Sequence, residues 1–296
     1  STQSKSSAAS DVYKRQDGMF TFLGLVICRS VFKIRFFGSL MKPLSELKEK
    51  HLRKIKILFF DLDGTFISND SLKSSTYRYL EKLRDNKIKT VVVTGRPAGW
   101  CDLIARWWPV NSVIGENGAL SYSMLNGKMD RKFYDDSVSL EKSKELLDSL
   151  FNEIKAKFGE IYLAADQPFR QWDLALDISE EKSLSMDKVR EIYDFCISRG
   201  ANAAISNIHL NVWYGEYTKC DMALKILDNW NVKIDECVYV GDSPNDSPMF
   251  KKFPISVGVK SVLDYSDFIK DYPSYVTERD GNQGFEDLVD SILSTK

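Results

Sequence analysis

The sequence predicts an α/β fold: a largely parallel sheet with crossover helices, interrupted by a smaller α+β unit. Three observations carry this expectation. From Lys54 onward, short apolar runs rich in Val, Ile and Phe alternate with stretches of helical hydrophobic spacing, the pattern of a parallel sheet covered on both faces. Two of the runs end abruptly in acids, at Asp61 and at Asp242, and the carboxyl ends of strands are where open α/β sheets bind ligands. Between about Leu125 and Tyr214 the regular alternation loosens, then resumes.

The elements follow in order. A strand over 55–60 leads through a loop to a helix over 74–84, with Tyr77, Leu80 and Leu83 on one face. A strand over 88–93 stops at Thr94, Gly95, Arg96 and Pro97. The helix after it, over 99–108, sets Trp100, Ile104 and Trp107 or Trp108 along one face, tryptophans read as packing residues. A short strand over 112–114 precedes Glu116, Asn117 and Gly118. The middle segment reads as a helix over 140–157, strands over 161–165 and 172–178, a helix over 186–199 and a strand over 208–213. The first pattern returns with a helix over 219–230, strands over 237–240 and 255–259, and a last helix over 284–293. The expected division is an extension over 1–40 that is non-native or disordered, a core over 41–124 and 214–296, and an inserted unit over 125–213.

Composition narrows the function. The chain has 296 residues, 43% hydrophobic and 28% charged, with a net charge of −1, so nothing marks it for nucleic acid or an anionic membrane. The apolar stretch 19–28 is about half the ~20 residues a spanning helix needs. Five scattered cysteines without a C-x-x-C pair suggest neither a disulfide framework nor a zinc site and favour a reducing cytoplasmic setting. His51 and His209 are the whole histidine complement, which argues against Ser-His or Cys-His machinery. Catalysis here must run on carboxylates, lysine and hydroxyls.

Asp61 and Asp63 leave their strand on the same side, able to face one cation or one phosphate, while Gly64 permits a sharp turn. Alone, the segment also reads as a polar strand end with an ordinary D-G turn. Its companion is Gly241-Asp242-Ser243-Pro244-Asn245-Asp246, which follows another apolar strand and brings Asp242 to the same sheet edge. Carboxylates gathered at one edge repel unless a cation neutralises them, and oxygen-only ligands point to Mg2+. Asp246 is open to three roles: metal ligand, second acceptor behind the metal, or helix cap.

Asp61-Leu62-Asp63-Gly64-Thr65, Thr94-Gly95-Arg96, Lys219 and the Gly241–Asp246 segment resemble, in order, the four motifs of the haloacid dehalogenase superfamily. The insert between the second and third motifs resembles the α/β cap of its Cof-type branch, which includes sucrose-phosphate, trehalose-phosphate and mannosyl-phosphoglycerate phosphatases. The resemblance implies a Rossmann-like parallel-sheet core with an inserted α+β cap, and a Mg2+-dependent phosphatase. It also implies the roles: Asp61 as nucleophile forming an aspartyl-phosphate, and Asp63 as acid and then base. Thr94 and Lys219 would hold the transferring phosphoryl group. Asp61, Asp63, Asp242 and Asp246 would form the metal site, and Gly64, Thr65, Gly95, Arg96 and Asn245 would lie around the phosphate, Asn245 orienting Lys219 or the phosphate.

Specificity falls to the insert. Asp166, Gln167 and Arg170, with Trp172, cluster after one predicted strand, His209 and Asn211 alternate on another, and Asn117 with Glu116 sits on a core loop. Polar groups beside aromatic faces suit a sugar or polyol phosphate, so the expected partner is a small phosphorylated metabolite, handled by a monomer or homodimer. A phosphosugar mutase or a non-catalytic sugar-phosphate-binding protein is the alternative.

Overall fold

The structure, a computed structural model, describes residues 35–36, 39–68, 71–135, 139–206, 208–265 and 269–296. The expected extension over 1–40 lies outside the described residues, apart from a ribbon pairing Arg35–Phe36 with Ser39–Leu40. Among the described residues no helix is long and apolar enough to cross a membrane.

In chain order the elements are β1 (Lys42–Pro43), β2 (Ile57–Phe60), α1 (Ser74–Asp85), β3 (Lys89–Val93), α2 (Ala98–Trp107), β4 (Ser112–Gly115), β5 (Leu120–Leu125) and β6 (Lys128–Phe133). Then come α3 (Leu140–Phe158), β7 (Asp173–Asp177), α4 (Met186–Ser198), β8 (Asn202–Ile205) and β9 (His209–Trp213). The chain finishes with α5 (Lys219–Trp230), β10 (Cys237–Gly241), α6 (Ser247–Lys252), β11 (Ser256–Gly258), β12 (Tyr275–Val276) and α7 (Gly281–Leu293).

The large sheet has the order β1-β12-β11-β10-β2-β3-β4-β5-β6, parallel from β1 to β4 and antiparallel at β5 and β6. Successive residues of a strand point to opposite faces, and both faces of β2 are buried. Leu58 and Phe60 pack with Val92, Val238, Leu80, Ile104 and Phe285 under α1, α2 and α7, whereas Ile57 and Phe59 pack with Val91, Tyr239, Ala223 and Met249 under α5 and α6. Burying a side chain such as Phe60 is worth about 1.5–3 kcal/mol, which is why the central strands read as unbroken apolar runs.

The sheet does not end near residue 125. Asn126 and Gly127, both at positive φ (51° and 76°), make the two-residue turn that sends β6 back along β5 to Phe133. Beyond it a three-stranded antiparallel sheet, β8-β9-β7, carries α3 and α4 on one face over Leu174, Leu176, Leu210 and Val212. The opposite side chains, among them Asp173, Asp177, His209 and Asn211, face the carboxyl edge of the large sheet.

Two expectations are corrected. The segment 161–165 contributes an isolated bridge, Leu163 to Leu176, rather than a strand. Gln167 takes over beside β7, its side chain accepting from Ala175 N and donating to Asp173 O, so an amide side chain replaces further backbone pairing. On α2 the buried face is Ala98, Cys101, Ile104 and Ala105, while Trp100 and Trp107 are exposed and Trp108 packs on Phe66.

Candidate active site

The loops that follow β2, β3 and β10 and the start of α5 converge at the carboxyl edge. Asp61 is tied to β10 by its own N–H, which donates to Val240 O at 2.9 Å. Gly64, at φ 84°, reverses the chain so that Thr65 Oγ1 donates to Asp242 Oδ1 at 3.0 Å. Thr218 caps α5 by accepting from Asp221 N, which sets Lys219 as the first helical residue. The Lys219 ammonium, 1% exposed, donates to Asp61 Oδ1 and to Asp246 Oδ1, both at 2.7 Å. Asp246 also accepts from the Tyr239 hydroxyl and from the N–H groups of Asp242 and Ser243. Both of its oxygens are therefore engaged, and it holds Lys219 from behind. A Cβ at Gly241 would stand 2.3 Å from Asp246 Oδ2, so this approach requires glycine.

Burial pushes the Asp61 carboxyl well above its ordinary pKa; Lys219 pulls it back down, and Asp246 and Asp242 add to the rise. Burial lowers the Lys219 ammonium, but Asp246 and Asp61 outweigh it and hold the group charged. Oxygens of Asp61, Asp242 and Asp246 lie within 4.8 Å of one another, all in buried residues. Three carboxylates against one ammonium, with hard oxygen donors alone, fit a divalent cation such as Mg2+.

In front of this cluster lies a cavity of about 20 Å3, lined by Asp61, Asp63, Thr94, Gly95, Arg96 and Asn245 with His209 and Asn211 opposite. The side chain of Arg96 forms part of its wall. The guanidinium clamps Asp63 through two bonds of 2.9 Å, reaches Asp166 and Glu180 at 3.3 Å each, and rests on the Trp100 ring at 4.4 Å. The Arg96 N–H donates to Thr94 Oγ1 at 3.0 Å, which leaves that hydroxyl its own hydrogen to give.

The remaining sequence candidates scatter more widely. Asp166 and Arg170 bind each other, and Arg170 also donates to Asp173 and to Gly95 O, so they join the insert to the core. Gln167 serves β7 and does not line the cavity. Asn245 accepts from Ser243 Oγ, and it is Asp61 and Asp246 that orient Lys219. Asn117, at φ 55°, is 1% exposed, neither of its amide atoms has a hydrogen-bond partner among the described residues, and it abuts Gly95. Trp172 packs on Phe133 and Trp213 stacks on Tyr217, so neither presents a face to the cavity. Sequence reasoning missed Tyr239, Glu180 and the cavity-lining Ser206, Ile208 and Ser243. Tyr239 alone left a trace, a polar atom in an otherwise apolar strand.

The sequence matches the haloacid dehalogenase-like hydrolase family over residues 58–167 and 166–286, and the chain belongs to that family. A phosphoglycolate phosphatase of Pyrobaculum islandicum is 25% identical over 254 residues, covering 81% of this chain and 97% of the relative. A 5-amino-6-(5-phospho-D-ribitylamino)uracil phosphatase of Bacillus subtilis is 20% identical over 240 residues, 78% of this chain and 92% of the relative. Among solved structures, a Thermoplasma acidophilum protein superposes with a TM-score of 0.65 at 15% identity, over 81% of this chain and 98% of its own. The sucrose-phosphatase of Synechocystis superposes at 0.60 and 12% identity, over 81% and 98%. These two likenesses show a shared α/β fold.

Proposed function

We propose that this chain, a phosphatase of the haloacid dehalogenase-like hydrolases, cleaves the monoester of a sugar phosphate or similar small polyol phosphate through an aspartyl-phosphate on Asp61. The observation that carries the reading is the convergence of Asp61, Lys219, Asp242 and Asp246 behind a cavity whose mouth holds Asp63. An Asp61 oxygen attacks phosphorus in line while Asp63 delivers a proton to the leaving oxygen, and Asp63 then takes a proton from the water that hydrolyses the acyl phosphate. Lys219 and the Thr94 hydroxyl meet the phosphoryl oxygens, and buried donors fixed in advance stabilise the charge that spreads over them. Asp246 and Tyr239 keep Lys219 in place. Mg2+ held by Asp61, the Asp63 backbone carbonyl and Asp242 would neutralise the repulsion among these acids and the phosphate. Of the two curated relatives, the one whose ester carries a ribityl chain supports a polyol ester, whereas the other acts on an ester of the carboxylate glycolate.

Release of inorganic phosphate from a panel of phosphorylated metabolites tests the reading. Wild-type enzyme with Mg2+ should release phosphate, and chelator or Asp61→Asn should lower the rate by about a thousandfold or more. Release that survives Asp61→Asn would refute the nucleophile. An isomerised ester with no net phosphate release would show a mutase instead.

A further inference from the structure

We propose that Glu180 selects the leaving group, admitting polyol esters and rejecting those that carry a carboxylate; this rests on the phosphatase reading of the same cavity. Glu180 stands at a junction. Its Oε1 accepts from Arg96 Nη1 at 3.3 Å and its Oε2 lies 2.9 Å from His209 Nε2, and both of those partners line the cavity. The loop after β7 is built to present it. Asp177, 3% exposed, accepts from the backbone N–H groups of Glu180, Glu181 and Lys182 at 2.8, 3.0 and 2.9 Å. One buried carboxylate that takes three successive amides fixes the turn and therefore the direction of the side chain at its start.

Charge decides which ester this wall accepts. The carboxylates of Asp63, Asp166, Asp173 and Glu180 share the guanidinium groups of Arg96 and Arg170. Arg170 is committed to Asp166, Asp173 and Gly95 O, so Arg96, which also reaches Asp166, is the guanidinium that serves Asp63 and Glu180. Asp63 can protonate a leaving oxygen only after Arg96 releases it, and an arriving phosphoryl group is the anion that draws a guanidinium away. Glu180 then keeps His209 as its partner and offers an acceptor oxygen to a hydroxyl that enters beside His209, on a cavity wall that also carries Asn211 and Ser206. A substrate carboxylate in the same place would face the like charge of the half-buried Glu180 side chain, and like charges brought together there exclude each other.

The test compares kcat/KM for glycerol 3-phosphate and phosphoglycolate, with Mg2+, in wild type, Glu180→Gln and Asp177→Asn. Wild type should prefer glycerol 3-phosphate. Glu180→Gln should lower that value and raise the one for phosphoglycolate, moving the ratio by about tenfold or more, the scale of one hydrogen bond to a charged group. Asp177 is a positioning residue, and its substitution should move the ratio the same way. Equal losses on both esters, or a wild type that turns over phosphoglycolate as fast as glycerol 3-phosphate, would overturn the proposal. Hydrolysis of p-nitrophenyl phosphate tests the phosphatase reading separately. Should neither ester turn over, titration calorimetry on Asp61→Asn with and without Glu180→Gln decides. Tighter glycerol 3-phosphate binding that needs Glu180 supports the assignment, and equal binding of both esters refutes it.

Discussion

Glu116 is a carboxylate with no exposed surface that takes backbone N–H groups from Ala98 in the core and from Gln171, Trp172 and Asp173 in the insert. Burial nonetheless pushes its pKa up to about 7, with Asp173 adding to the rise and the amides and Arg170 opposing it. A carboxyl raised in the folded state holds a proton there that the unfolded chain has already lost, so its contribution to stability is present below about 4.5 and is lost as pH climbs through about 7. We expect the urea midpoint of wild type to fall between pH 5 and pH 7.5 more steeply than that of Glu116→Gln, which has no proton to lose. The difference integrates to about 2 kcal/mol over the window. Parallel pH profiles for the two proteins would contradict this. The residue was visible in the sequence as part of a loop at the sheet edge, but its partners are backbone amides that leave no mark on residue type.

At the scale of elements, the loop 116–118 and the start of α5 are in direct contact. Gly118 has a φ of 111°, and a Cβ there would lie 2.1 Å from Thr218 O and 2.9 Å from Lys219 N. Gly118→Ala should therefore cost about 3 kcal/mol from strain and backbone clash together, and should lower kcat by about tenfold or more by displacing Lys219. Denaturant unfolding and steady-state rates read the two effects. A stable variant with full activity would show that the loop does not support the helix. The strands β2, β3 and β10 and the acids at their ends were legible in the sequence because burial on both faces demands unbroken apolar runs and the chemistry clusters where they stop. Strands β8 and β12 were not: β8 lies at the edge of its sheet and β12 spans two residues, and neither needs a run of apolar patterning. Glu180 was hidden for another reason: its position depends on the turn that Asp177 organises, and a glutamate in a polar loop has no period to betray it.

At the scale of the whole molecule, a cavity of about 20 Å3 has room for a water and not for a phosphate ester, so on the proposed reading we expect the insert to move away from the core, as well as Arg96 from Asp63, during turnover. Phe169 of the insert touches α2 at Gly99, where a Cβ would stand 3.1 Å from the Phe169 Cβ. That is slightly inside the about 3.8 Å typical of a disulfide, and the exposed Phe169 can yield the difference. The pair Gly99→Cys with Phe169→Cys should lose turnover on oxidation and regain it with a reductant. Full activity in the oxidised, cross-linked protein would mean that substrate enters without opening. The two crossings between core and insert also lie side by side. Tyr134 N donates to Ala119 O at 2.8 Å, and its ring sits 5.6 Å from that of Tyr217. The chain thus leaves and rejoins the large sheet through one doorway. A foreign segment whose ends span that gap would meet the core at Arg96 and Glu116, which now bond to the insert, and would leave in place the strands and the helix that carry Asp61, Asp242 and Lys219.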